Sequence, residues 1–132
     1  MSLALIIEDE LVIAFSIEEA LRQIGYTTFE IATSVDQAVE AAERQCPDLI
    51  ITNHRIAGGT GTDAVLAICS DKAIPVVFVS ASGPEIRDRL PDALIVDKPF
   101  TLPRLESAVE TAAKRPFRHS PSQDGPKLRI VE

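Results

Sequence analysis

Short apolar runs and helix-spaced apolar stripes alternate along the first 114 residues, and that alternation predicts repeated βα units. Ala4-Leu5-Ile6-Ile7 reads as a buried strand. Ile13, Ile17, Ala20, Leu21 and Ile24 then recur at helical spacing and stop at Gly25, a residue suited to the conformation that ends helices. Thr27 to Ala32 is β-branched and forms a second strand. Ser34 is placed to cap a helix whose inward stripe is Val35, Ala38, Val39 and Ala42, and Pro47 closes it.

The second half repeats the scheme. Asp48 to Thr52 is a third strand, followed by the loop His54 to Gly61, whose glycines permit a tight turn or close approach to a ligand. Asp63 to Ser70 is a helix and Pro75 to Ser80 a fourth strand. Gly83, Pro84 and Pro91 then leave room for about two helical turns, near Glu85 to Leu90. Ala93 to Val96 is the fifth strand, and Thr101 caps a last helix with Leu102, Leu105, Ala108, Val109 and Ala112 inward. From Arg115 periodicity gives way to Pro, Ser, Gly and charge, the composition of a flexible tail in which Leu128 to Val131 is the apolar patch.

With 132 residues this is one domain, and its aliphatic composition suits strands covered by helices on both faces. A net charge of -7 and the lack of a basic face in the domain argue against nucleic acid as a partner. No apolar stretch reaches the roughly 20 residues that span a bilayer, and no leader opens the chain, which predicts a cytoplasmic protein with no membrane association. Cys46 and Cys69 lack ligand spacing and read as packing thiols on helices.

Open α/β sheets do their chemistry at the carboxyl edge of the strands. On that edge the βα reading places Glu8 and Asp9 after the first strand, Asn53 after the third, Ser80 after the fourth and Lys98 after the fifth. Taken singly, each has a plainer reading. Glu8-Asp9-Glu10 is also ordinary charge at a helix start, Ser80 an ordinary turn cap, and His54 an exposed loop side chain.

Together and in this order they resemble the receiver domain of response regulators in two-component signalling, over roughly residues 3 to 114. The resemblance implies a flavodoxin-like fold, a single doubly wound sheet of five parallel strands in the order 2-1-3-4-5, with the receiver at 3-114 and a flexible tail at 115-132. It implies that Glu8, Asp9, position 53 and the backbone carbonyl of Arg55 hold Mg²⁺, that Ser80 contacts phosphoryl oxygens, and that Lys98, before a cis proline, neutralises them. It also implies a histidine kinase or phosphotransfer protein upstream and an output protein downstream.

This chain departs from the family at three places: Asn53 replaces the acceptor aspartate, Ile95 the aromatic switch, and the segment from Ser80 to Lys98 is short. An amide nitrogen is no nucleophile towards phosphorus, so the chain as written is expected to take no phosphoryl group. An amide also removes one charge from the metal site, so Mg²⁺ is expected to bind more weakly and Lys98 to pair with Glu8 or Asp9. The expected function is a single-domain receiver, not an enzyme, whose output is protein contact. A binding module that works without phosphate is one alternative. A small Mg²⁺-dependent phosphatase-like hydrolase using Glu8 or Asp9 is another, against which Glu8-Asp9-Glu10 lacks Asp-x-Asp spacing. Residues 83 to 92 are expected to be mobile and to order on a partner.

Overall fold

The computed structural model describes residues 2–118. Strands β1 (Leu3–Ile7), β2 (Thr28–Ala32) and β3 (Leu49–Thr52) come first, separated by helices α1 (Leu11–Ile24) and α2 (Val35–Arg44). A two-stranded hairpin, β4 (Arg55–Ile56) and β5 (Gly59–Thr60), leads into α3 (Gly61–Ile68). β6 (Val76–Ser80), α4 (Gly83–Arg89), β7 (Ile95–Asp97) and α5 (Leu102–Lys114) complete the chain. The main sheet is parallel in the order β2-β1-β3-β6-β7, which is the expected 2-1-3-4-5 order with the hairpin left out.

Alternation along the strands divides the core in two. Leu5, Ile7, Ile50, Val76 and Phe78 face α2, α3 and α4. Ala4, Ile6, Leu49, Ile51, Val77 and Val79 face α1 and α5. Every residue of β1, β3 and β6 is buried, so a slip of register has no solvent face to occupy. The observed register aligns Ile7 with Thr52, Thr52 with Phe78, and Ser80 with Asp97. The residues that follow these strand ends therefore share one edge.

Local signals set the helix limits. Gly25 adopts φ 119°, and its N–H bonds back to Arg22 and Leu21, which ends α1. Ser34 Oγ accepts from Gln37 N, and Thr101 Oγ1 from Arg104 N, as their positions predicted. α3 begins at Gly61, earlier than the expected Asp63, because Thr60 and Asp63 form a reciprocal capping box that makes Asp63 the third helical residue.

Four other expectations need correction. The glycine loop after β3 is a hairpin that leans on the start of α2 through Val35 N to Ala57 O. β7 runs Ile95–Asp97 rather than from Ala93, because Ala93 N bonds to Leu90 O and closes a turn first. Cys46 lies beyond α2 and is exposed, whereas Cys69 is buried and its thiol is pushed up to about 12, chiefly by burial. The chain also stays with the fold past residue 115, since Phe117 exchanges two backbone hydrogen bonds with Ile74 at 2.9 and 2.8 Å. The patch Leu128 to Val131 and the rest of the expected tail, 119–132, lie outside the described residues.

Gly61 shows how tightly the edge is built. Its N–H donates to His54 O at 2.7 Å, and a Cβ there would run into the Asn53 carbonyl and the Thr52 hydroxyl. Gly61→Ala is expected to lower unfolding free energy by about 1–3 kcal/mol through overpacking, read from urea midpoints. Gly25→Asn should also destabilise although the would-be Cβ has open space, because a φ of 119° strains any residue that carries a side chain.

Candidate functional site at the carboxyl edge

Glu8 is fully buried at the end of β1, and its Oε1 accepts from Lys98 Nζ at 3.0 Å. Its other oxygen accepts from Glu10 N at 3.2 Å. Burial pushes the Glu8 carboxyl above the ordinary carboxylate range, and the Lys98 ammonium pulls it only partly back. The peptide before Pro99 is cis, as the resemblance implied. Asp9 is exposed beside this pair.

Asn53 follows β3 and completes the cluster. Its Nδ2 donates to Arg55 O at 3.2 Å and reaches Glu8 Oε2 at 3.4 Å, while its Oδ1 accepts from His54 N at 2.8 Å. Exchanging the amide's oxygen and nitrogen would set an oxygen against a carboxylate and a carbonyl, and NH₂ against an N–H, so the network fixes the orientation. The amide hydrogens thus lie where the oxygens of Glu8 and Arg55 converge.

A divalent cation needs those same oxygens. Mg²⁺ takes hard oxygen ligands in octahedral array. Here one Glu8 oxygen meets Lys98, the other meets Asn53 and Glu10, and the Arg55 carbonyl meets Asn53. Only the exposed Asp9 carboxylate stands outside this network, and among the described residues no three acids, histidines or cysteines group as a metal cage. As arranged, the residues do not fit Mg²⁺: an ammonium and an amide satisfy the carboxylate instead.

Ser80, buried at the end of β6, stands on the same edge, and its Oγ accepts from Ser82 N at 2.9 Å, so the hydroxyl caps the turn into α4. His54 corrects the sequence reading. It is 8% exposed, its Nε2 lies 3.2 Å from Glu85 Oε1, and its Nδ1 is buried without a partner among the described residues. Arg55 reaches the same Glu85 at 3.3 Å, and Arg89 meets Asp63 at 2.9 Å, holding that carboxyl below its usual range. α4 buries only Gly83 and Ile86, so these contacts hold much of it. Glu85→Gln is expected to speed amide hydrogen exchange across residues 83–90 by several-fold while Leu49 to Ile51 keep their protection.

Two features escaped the sequence reading. The Glu85 contact joins distant segments and left no local signal. Leu11, Val12 and Phe15, 50%, 78% and 56% exposed, were visible as apolar residues off the inward stripe of α1, directly after the acidic run.

The family model for the response regulator receiver domain matches residues 4–110, and receiver domains generally bind Mg²⁺ at an acidic pocket. The transcriptional regulatory protein PdtaR of Mycobacterium tuberculosis is 35% identical over 132 residues, covering 97% of this chain and 64% of the relative. The phyllosphere-induced regulator PhyR of Methylorubrum extorquens is 32% identical, over 82% of this chain and 42% of its own length. The chain thus spans less than two thirds of these curated relatives. Among solved structures, the receiver domain of Erythrobacter litoralis PhyR superposes with TM-score 0.78 at 29% identity, covering 91% of this chain and 94% of that one. Among the described residues no helix is long and apolar enough to cross a membrane.

Proposed function

The chain belongs to the response regulator receiver family, and on that premise we propose a receiver that transmits by protein contact without being phosphorylated at position 53. The observation that carries this is the Asn53 amide, which donates to the Arg55 carbonyl and reaches Glu8 while Lys98 neutralises Glu8. Acceptor, metal and phosphate positions are then satisfied from within. In this reading Ser80 and Lys98 keep the family's places but hold the edge together, the chain is not an enzyme, and Mg²⁺ affinity falls below that of a site with a third carboxylate.

A histidine kinase or phosphotransfer protein remains the partner class that the family suggests. The exposed Leu11, Val12 and Phe15 beside the acidic edge offer such a protein an apolar footing. The similar PhyR of Bartonella quintana is an anti-anti-sigma factor, which favours protein contact as the output here. For output, α4 is the favoured surface, and a bound partner should slow exchange across residues 83–92.

The direct test is intact mass after incubation with acetyl phosphate and Mg²⁺. No adduct is expected. A stable adduct would place an acceptor at another residue, and transmission independent of phosphate would be overturned.

A further inference from the structure

α4 ends at Arg89 after about two turns. Beyond it, the part of β6 that carries Val76 and Phe78 borders a cavity of about 360 Å³ instead of a longer helix. Leu90 and Leu94, on the turn into β7, form one wall. Phe117 forms another, pinned by its paired hydrogen bonds to Ile74. The cavity adjoins the amino-terminal end of β6, whereas Asn53 and Ser80 lie at its carboxyl end, so this is a separate place on the molecule.

The rim decides what would bind. Arg115 and Arg118 flank Phe117 at the opening, and among the described residues neither has an ion-pair partner. In a chain of net charge -7, a partly apolar cavity lined by two guanidinium groups and one carboxylate is locally positive. Guanidinium binds carboxylate through paired, charge-assisted hydrogen bonds, and apolar walls reward an apolar body that displaces water. Asp92 on the same rim disfavours a multiply charged ligand.

We infer that this cavity is a binding site for a small monocarboxylate with an aryl or branched-alkyl body. Its head would meet Arg115 and Arg118 and its body would lie between Leu90, Leu94 and Phe117. Occupancy would tie the α4–β7 turn to the segment after α5. The inference is independent of the chemistry at Asn53.

Backbone amide NMR of the full chain, titrated with 3-phenylpropionate and separately with 3-phenylpropylamine, tests it. Saturable shifts at Leu90, Leu94 and Phe117 are expected with the acid and not with the amine. Arg115→Gln with Arg118→Gln, both at exposed positions, should weaken the acid at least about tenfold and leave the remaining spectrum unchanged. Equal binding of acid and amine, shifts elsewhere, or no saturable shift would overturn the inference. So would binding that appears only after residues 119–132 are removed, which would give the cavity to the chain's own tail.

Discussion

Asn53→Asp is expected to turn a chain that takes no phosphoryl group into one labelled to a large fraction by acetyl phosphate in the presence of Mg²⁺. A carboxylate oxygen at position 53 attacks phosphorus, the bond to the acetyl oxygen breaks, and acetate leaves with its electron pair. The same exchange removes the NH₂ group that the Arg55 carbonyl and Glu8 now meet, freeing those oxygens. It also sets a second carboxylate beside Glu8, and two close acids raise the demand for a cation. Mg²⁺ affinity should therefore rise together with labelling. Asn53→Ala supplies the control, since it removes the amide without adding an acid. Labelling of the alanine variant would assign the reaction to another residue, and an unlabelled, Mg²⁺-indifferent aspartate variant would show that the edge has lost the chemistry altogether.

Much of this edge was readable from strand ends alone. Each buried strand is an apolar run that stops at a polar residue, and parallel pairing brings those stops together, so the sequence alone places Glu8, Asn53, Ser80 and Lys98 on one edge. Charge allowed Lys98 to pair with Glu8 or Asp9, and the structure joins it to Glu8. The hairpin Arg55 to Thr60 was not readable, because two-residue strands carry no period. The start of α3 is legible in the capping-box spacing of Thr60 and Asp63, which outweighs the apolar period that points to Asp63. β7 was displaced because Ala93-Leu94-Ile95-Val96 is uniformly apolar, so a turn hydrogen bond rather than composition decides where pairing begins. His54 is buried and meets Glu85, a contact between segments that no local pattern encodes.

Lys98→Met should have the largest effect on stability, and its pH dependence identifies the cause. Glu8 is fully buried and its principal counter-charge is the Lys98 ammonium at 3.0 Å. Removing one partner of a buried pair leaves an uncompensated charge, which costs roughly 3 kcal/mol at neutral pH, the lower end because Lys98 keeps some solvent contact. Burial already holds the Glu8 carboxyl above its ordinary value of 4.5, and Lys98 is the main influence opposing that rise. Because the folded value exceeds the unfolded one, the folded state binds the proton more tightly. That contribution to stability is full below 4.5 and is lost as pH rises through the folded value. Without Lys98 the folded value climbs further, so the loss deepens and extends towards neutral pH. Urea midpoints should therefore separate wild type and Lys98→Met widely at about pH 8 and little at about pH 5. Adding Glu8→Gln to Lys98→Met should restore most of the difference at the higher pH, since a neutral amide needs no counter-ion. A deficit of equal size at both pH values, unchanged by the glutamine, would mean that the lysine acts through packing of its stem and that its ion pair with Glu8 contributes little to the fold.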